Sequence, residues 1–149
     1  MKKCLVVSNS FKKDAEYLAG QICSLLESRG YEPVLFSYNG RSASREDFDI
    51  DFAGNEFVVT LGGDGTVLYA SRQCAPLGIP VFPVNLGEFG FLAVVSKENW
   101  ESELNSFLDG KTYISERTLV DCEVLRGGKT VFKGTGMNDC VISSSPSAF

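Results

Sequence analysis

Histidine is absent from this 149-residue sequence. The chain therefore cannot form a Ser-His-Asp or Cys-His catalytic site, nor bind a metal through histidine. Acid–base chemistry has to come from carboxylates, lysine, tyrosine or cysteine. Long hydrophobic runs are also missing, since the N-terminal MKKCLVVSNS turns polar after a few apolar residues. That start predicts neither a signal peptide nor a membrane span.

Positively charged residues are fewer than negatively charged ones: the sequence has 14 lysine and arginine residues and 19 aspartate and glutamate residues. The net charge of −5 argues against general binding of nucleic acid or of anionic lipid. Cysteine is scarce too, with five residues scattered along the chain. Their odd number and wide spacing favour reduced thiols over a disulfide framework or a zinc site. We therefore expect a cytoplasmic protein whose side chains hold no metal and which has neither nucleic acid nor membrane as a partner.

The first 110 residues alternate between short apolar runs and helical spacing of apolar residues. The run at 4–7 predicts a buried strand, and apolar positions along 15–26 form one face of a helix that Gly30 would end. PVLFSY then predicts a second strand. A strand, an amphipathic helix and another strand indicate a βαβ unit with parallel pairing.

Further elements follow the same alternation. FVVTL and IPVFPVN predict a third and a fourth strand, the fourth at an end or edge because of its prolines. Ser96 is a candidate cap for a helix that Gly110 would end. Residues 39–55 are polar and predict a surface connection. The fold class predicted for residues 1–110 is thus α/β, with an open, mostly parallel sheet flanked by helices.

After residue 110 the pattern changes to β. Two strand-like runs, TLVDCEVL and TVFKGTGMNDCVIS, flank a Gly-Gly pair at 127–128, which predicts a tight hairpin. Two strands alone are only marginally stable in water. Residues 111–149 are therefore predicted to begin a β-rich second domain that is truncated here. The unpaired strand edges predict a homo-oligomer for the complete protein.

The stretch Gly62-Gly63-Asp64-Gly65-Thr66 follows the third predicted strand. Asp-Gly between two apolar runs is typical of a hairpin turn. Against that, TVLYASRQC fits a helix better than a strand, and a hairpin turn does not need three glycines. Glycines between a strand and a helix bring backbone N–H groups close to phosphate oxygens. The carboxylate makes sense there if it accepts a hydrogen bond or a proton from a sugar hydroxyl, and we favour this second interpretation.

Two more clusters are candidates for the same site. NLGEFGFL follows the fourth strand, where Phe89, Phe91 and Leu92 could line a slot for an adenine ring or could be ordinary core residues. Asn138 and Asp139 could bond to hydroxyls or could form a turn. Ligands of an open α/β sheet bind beyond the carboxyl ends of the strands, which is where the first two clusters lie.

Together, GGDGT, NLGEFGFL and MNDCVIS resemble, in order and approximate spacing, the three N-terminal signatures of the NAD kinases. These enzymes phosphorylate the adenosine-ribose 2′-hydroxyl of NAD to give NADP, with ATP or polyphosphate as donor and Mg²⁺ or another divalent cation carried with ATP. GGDGT alone is less specific, because diacylglycerol and sphingosine kinases share it. The resemblance implies a Rossmann-like or phosphofructokinase-like α/β domain, followed by a β-rich domain with further NAD contacts.

The resemblance also assigns substrate contacts to six residues, which are Asp64, Gly65, Phe91, Leu92, Asn138 and Asp139. Asp64 corresponds to the proton acceptor and Gly65 to its NAD-contacting neighbour. The Phe91–Leu92 pair corresponds to positions near the adenine pocket, and the Asn138–Asp139 pair to the residues that hold the nicotinamide-side ribose.

The function implied by the resemblance is that of an NAD kinase, a phosphotransferase that acts on an alcohol group of NAD. This chain alone is expected to be an inactive or weakly active N-terminal fragment. Two alternatives stay open: a lipid kinase of the diacylglycerol or sphingosine type, and a nucleotide-binding fragment without turnover. Tyr69 stands where many relatives have a basic residue, and Arg72 one turn on is a candidate replacement.

Overall fold

The computed structural model describes residues 1–38, 50–87 and 90–142. The chain divides into two compact units, Met1–Tyr113 and Ile114–Phe149. The first contains a five-stranded sheet and the second a two-stranded sheet. The interpretation of residues 1–110 and 111–149 as separate domains stays a prediction. Within the described ranges, no helix combines the length and the apolar character needed to cross a membrane.

The first unit alternates strands and helices in the predicted order. Its elements are β1 (Lys2–Asn9), α1 (Ala15–Ser28), β2 (Tyr31–Tyr38), β3 (Asn55–Gly62), α2 (Asp64–Cys74), a short 3-10 helix (Ala75–Leu77), β4 (Val81–Asn85), β5 (Val95–Ser96) and α3 (Trp100–Leu108). The sheet order is β2-β1-β3-β4-β5, and every neighbouring pair is parallel. The predicted α/β class, its open parallel sheet and its first βαβ unit are confirmed. The prediction that the fourth strand lies at an end or edge is wrong, because β4 lies between β3 and β5.

The central strands are nearly continuous apolar runs because helices cover both faces of the sheet. The core on the face of α1 and α3 consists of Cys4, Val6, Leu18, Ala19, Ile22, Leu26, Phe57, Val59, Leu61, Phe82, Val84, Trp100 and Leu104. The core on the face of α2 consists of Leu5, Val7, Tyr38, Phe52, Val58, Tyr69, Ala70 and Cys74. With both faces covered, a ligand can approach this sheet at the loops beyond the carboxyl ends of its strands.

An aromatic cluster beneath α2 includes one residue of the segment 39–55, which was predicted as a surface connection. Phe52 is buried, and its ring meets Tyr69 edge-on with the ring centroids 6.1 Å apart. Tyr69 also stacks on Tyr38, with centroids 4.3 Å apart. Tyr69 therefore packs in the core, and its burial raises its pKa. Residues 39–49 of the predicted connection lie outside the described residues.

The predicted helix near the end of the first unit is confirmed, but its predicted start is wrong. Ser96 lies in β5, where it pairs with Asn85 of β4. The residue at the N-cap position of α3 is Asn99, whose side chain makes no capping hydrogen bond. Because Ser96 pairs with β4 in the sheet, it does not hold the N-cap position of the helix. Gly110 ends the helix as expected: its φ is +69°, and its N–H donates to the Phe107 carbonyl at 3.0 Å.

Thr60 in β3 is fully buried, and its hydroxyl has no hydrogen-bond partner among the described residues. A buried polar group without a partner costs about 1–3 kcal/mol. Thr60→Val keeps the shape and removes the hydroxyl, so we expect the free energy of unfolding in urea to rise by about 1 kcal/mol.

Thr66→Val is the matched control for this change. The Thr66 hydroxyl is also buried, but it accepts a hydrogen bond from Asn9 Nδ2 at 3.5 Å. Losing that acceptor should lower the stability. A Thr60→Val variant that unfolds at a lower urea concentration than the parent would contradict the prediction.

The second unit is an antiparallel hairpin of β6 (Val120–Arg126) and β7 (Lys129–Gly136). Gly127 and Gly128 connect the strands with φ values of +56° and +76°, the left-handed conformation that tight hairpin turns require. The predicted hairpin is confirmed. Its second strand is shorter than the sequence indicated, because β7 ends at Gly136.

Candidate active site at the carboxyl ends of the strands

The strand order reverses direction at β1, because β2 lies on one side of it and β3 on the other. Ligands of open α/β sheets bind in the crevice at such a switch point, beyond the carboxyl ends of the strands. β1 ends at Asn9 and β3 at Gly62. A hydrogen bond of 3.5 Å from Asn9 Nδ2 to Thr66 Oγ1 joins the end of β1 to the first turn of α2, which follows β3. The GGDGT stretch therefore lies at the switch point.

The GGDGT residues form a strand-to-helix turn. β3 ends at Gly62, Gly63 is the residue that caps α2, and α2 begins at Asp64. The N–H groups of Thr66 and Val67 donate to the Gly63 carbonyl at 3.0 and 3.3 Å. The hairpin alternative is thus wrong. The turn carries the N-terminus of α2, which attracts negative charge through its amide donors and the helix dipole.

Two glycines of the site are required by close contacts, and a third is not. A Cβ on Gly62 would lie 2.2 Å from Thr66 Oγ1, and a Cβ on Gly90 would lie 2.7 Å from Asp64 Oδ1. A Cβ on Gly65 would meet nothing within 4 Å, and its φ lies outside the left-handed region. Gly65 is also exposed. The local fold therefore gives no reason for glycine at position 65, whereas close approach of a ligand would.

Asp64 joins the first glycine cluster to the second. Its carboxylate accepts three backbone hydrogen bonds of 3.0 Å: Oδ2 from the N–H of Phe91, and Oδ1 from the N–H groups of Leu92 and Ala93. The bond from Ala93 contributes most to lowering the pKa of Asp64. Because the folded pKa is depressed, the stability that these bonds add is complete above the ordinary aspartate pKa. It is lost as the pH falls through the lower folded value.

The carboxylate of Asp64 still has room for one more donor. An ionised carboxylate offers about four lone-pair positions. Leu92 and Ala93 occupy both positions on Oδ1, and Phe91 occupies one of the two on Oδ2. A hydroxyl can therefore donate to Oδ2 while the loop at 91–93 stays bound.

Phe91 is 92% exposed although it is a large aromatic residue, and Leu92 is half-buried. The interpretation of Phe91 as a core residue is therefore wrong, and Phe89 lies outside the described residues. The backbone of Phe91 is fixed by its bond to Asp64. An exposed ring on a fixed backbone is suited to stacking on a flat ring of a ligand.

Two further side chains at this edge were given no role by the sequence. Asn85 ends β4, and its Oδ1 accepts a hydrogen bond from the N–H of Gly87 at 2.8 Å. Lys12 follows β1, and a Cβ placed on Gly87 would lie 3.6 Å from its Nζ. The ammonium group thus brings positive charge to the loop after β4. Loops that follow parallel strands lie at the same edge of the sheet. Because Lys12 follows the first predicted strand, it could have been predicted as a residue of the site.

Asn138 and Asp139 belong to the second unit, where both are exposed. The chain folds back on itself after β7, since a Cβ on Gly136 would lie 2.7 Å from the carbonyl oxygen of Asp139. The role of this pair in holding a ribose stays a prediction. In the described part of the chain, no group of three or more cysteine, aspartate or glutamate side chains gathers as a metal site.

Comparison with known proteins gives several relatives. The NAD kinase of Treponema denticola is 38% identical to this chain over 97% of the chain's length. The NAD kinase of Treponema pallidum is 37% identical over 95% of the chain's length. The NAD kinase of Nitratidesulfovibrio vulgaris is 35% identical over 96% of the chain. The aligned regions cover 50%, 45% and 50% of these three proteins, so the chain spans about half the length of the curated relatives that it matches.

The crystal structure of yeast NADH kinase complexed with NADH has a similar fold, with a TM-score of 0.61 at 15% identity. The match covers 92% of this chain and 47% of the yeast chain. The family model of the ATP-NAD kinase N-terminal domain matches residues 4–112. The resemblance drawn from the motifs is confirmed, and the chain belongs to the family of ATP-NAD kinase N-terminal domains.

Proposed function

We propose that this chain forms the N-terminal part of an NAD kinase, which transfers a phosphoryl group from ATP or polyphosphate to the adenosine-ribose 2′-hydroxyl of NAD. One observation carries the proposal: three backbone hydrogen bonds hold the loop at 91–93 on the carboxylate of Asp64. These bonds bring two of the three family motifs into contact, which supports a single site. An ionised acceptor, an exposed aromatic ring and a helix N-terminus meet there, as a nucleotide with a reacting hydroxyl requires.

Asp64 is proposed to orient the 2′-hydroxyl through the lone pair left on Oδ2. Phosphoryl transfer depends mainly on positioning and on neutralising charge, because a ribose hydroxyl is a weak nucleophile. The lowered pKa makes Asp64 a weak base before transfer begins. It accepts the proton once the new P–O bond has made the hydroxyl more acidic.

The neighbouring groups supply the remaining contacts in this proposal. Phe91 stacks on the adenine with Leu92 beside it, and Gly65 leaves room for the ribose. The N-terminus of α2 and the ammonium of Lys12 attract the phosphates. Mg²⁺ arrives with ATP as part of the substrate. For the Asn138–Asp139 pair of the second unit, the proposed role of holding the nicotinamide-side ribose rests on the motif alone.

The direct test is an assay with NAD, ATP and Mg²⁺, in which an NADP-specific dehydrogenase measures the product. We expect NADP from the protein at the length of its relatives, and little or none from the 149-residue chain. Phosphate transfer to diacylglycerol or sphingosine, with none to NAD, would overturn the proposal in favour of a lipid kinase. A lack of transfer to any acceptor at that length would favour a nucleotide-binding protein without turnover.

Lys12→Ala is expected to lower kcat/KM for ATP by about 10- to 100-fold, the value of one hydrogen bond between charged groups. Steady-state kinetics with ATP as the varied substrate measures this. Lys13→Ala is the matched control, since it makes the same change of charge at the next residue. Equal losses in the two variants would indicate a general effect of charge and contradict a specific contact from Lys12.

We also propose that the complete protein is a cytoplasmic homo-oligomer. The face of the β6–β7 hairpin supports self-association, because Val124 and Phe132 are 43% and 58% exposed. These residues pair across the two strands. Their side chains thus form an apolar surface on one face of the hairpin.

A further inference from the structure

Two cysteines of the second unit lie side by side. Cys140 Sγ donates a hydrogen bond to Cys122 Sγ, and the two sulfur atoms are 3.0 Å apart. Both are free thiols. The spacing of cysteines along the sequence gives no sign of this contact, because the β6–β7 turn and all of β7 separate the two residues.

The backbone of the hairpin explains the contact. Cys122 lies in β6 opposite Gly134 of β7. β7 ends at Gly136, where the chain folds back so closely that a Cβ would lie 2.7 Å from the Asp139 carbonyl oxygen. This reversal returns Cys140 to the neighbourhood of Cys122. The two cysteines are therefore close because the chain reverses direction at Gly136, where there is no room for a side chain.

The other three cysteines have different surroundings. Cys4 and Cys74 are buried in the first unit, and burial raises the pKa of each to about 12. Burial also raises the pKa of Cys23. Thiols that hold their protons inside a core react slowly with oxidants. The side chain of Cys140 is exposed, so oxidants and reductants can reach it.

We propose that Cys122 and Cys140 form a reversible intramolecular disulfide, which makes the end of the hairpin a redox modification site. With hydrogen peroxide as the oxidant, Cys140 attacks one oxygen and becomes a sulfenic acid as the first water leaves. Cys122 then loses its proton and attacks the Cys140 sulfur, the S–S bond forms, and the second water leaves. The two thiols give up two electrons, and peroxide takes them up. Two molecules of a thiol such as glutathione reduce the disulfide by exchange: the first forms a mixed disulfide, and the second releases it as glutathione disulfide, which leaves both cysteines as thiols.

The disulfide requires little movement. The sulfur atoms have to approach from 3.0 Å to a bond length of about 2.05 Å. The bond would tie the turn at 136–140 to β6 and so restrict the backbone of Asn138 and Asp139. Its effect on NAD binding rests on the proposed function, whereas formation of the disulfide does not.

Peptide mapping under non-reducing conditions tests the disulfide. Trypsin separates the two cysteines, because Cys122 falls in peptide 118–126 and Cys140 in peptide 134–149. After treatment with peroxide and then with an alkylating agent, we expect these peptides as one linked species that is lighter than their sum by two hydrogen atoms. Dithiothreitol should separate them. Cys140→Ser should abolish the link, and the matched control Cys23→Ser should leave it unchanged.

Several results would overturn the proposal. Peptides that stay unlinked while peroxide is consumed, a link from Cys140 to a cysteine of the first unit, or a link between two copies of the chain would each do so. The wild-type map decides the first two outcomes, and non-reducing electrophoresis of the wild-type protein decides the third, because a link between copies gives the same peptides but a chain of twice the mass. The test therefore does not depend on how the variants fold. If the link forms but the protein makes no NADP, the proposed function fails and the redox site stands.

Discussion

Asp64→Asn, in the form of the protein that turns over NAD, is expected to lower kcat by about 10²- to 10⁴-fold. The amide oxygen can replace Oδ1 and keep the bonds from Leu92 and Ala93. The amide NH₂ group then takes the place of Oδ2 and turns donors toward the N–H of Phe91 and toward the incoming hydroxyl. The loss is therefore expected in NAD affinity as well as in turnover, because Phe91 loses its anchor. The rise in Kd for NAD should be about tenfold, the value of one hydrogen bond.

Steady-state kinetics and calorimetric titration with NAD separate the two effects. Asp109→Asn is the matched control, because Asp109 bonds to Arg29 and Lys111 at the surface of the first unit. It should leave kcat and the Kd for NAD unchanged. Turnover unaffected by Asp64→Asn would reject a role for the carboxylate at the reacting hydroxyl. A lower kcat with unchanged NAD affinity would reject the view that the Phe91 bond positions the adenine site.

Gly65→Ala is expected to lower the activity by about 10²-fold, the effect of displacing a substrate by about 1 Å, and to leave the fold intact or more stable. Its Cβ would enter open space, and alanine in place of glycine favours a helix by about 0.5–1 kcal/mol. The same methyl group would occupy the space into which the ribose of NAD is proposed to fit. Thermal unfolding and the NADP assay measure the two outcomes on one sample.

Gly62→Ala is the contrasting variant, three positions earlier in the same motif. Its Cβ would lie 2.2 Å from Thr66 Oγ1, so the chain has to shift at the start of α2. We expect this overpacking to cost about 1–3 kcal/mol of stability and to lower activity through the fold. If Gly65→Ala keeps full activity, no substrate approaches the backbone at that position.

Most elements of the first unit were predictable because their signals are local, but the two-residue strand β5 was not. Apolar runs and helical spacing over a few residues fixed the strands and helices, and Gly30 and Gly110 marked the ends of two helices as expected. The order of the strands carries no such local signal, since several arrangements satisfy the same alternation. The switch point at β1 was therefore not predicted, and Lys12 was given no role in the site.

Contacts between distant segments were missed for the same reason. Phe52 looked like an isolated apolar residue in a polar stretch, and its packing partner Tyr69 is supplied by another element. Ser96 has the right side chain for a cap, but pairing with β4 places it in a strand. Asp64 was identified by its motif. Its bonds to residues 91–93 come from backbone N–H groups, which the identities of those residues do not reveal.

The close contact between Gly90 and Asp64 should couple the effects of substitutions at these two positions. Any residue larger than glycine at 90 would collide with the carboxylate oxygen, and a longer acid at 64 would need the space that glycine leaves. A single change at either position should be harmful. A smaller residue at 64 should relieve the collision caused by a larger residue at 90 and so restore stability, but not activity, because the carboxylate is then lost. In a double-substitution library scored for stability, positions 64 and 90 should therefore show strong epistasis, although they are far apart along the chain.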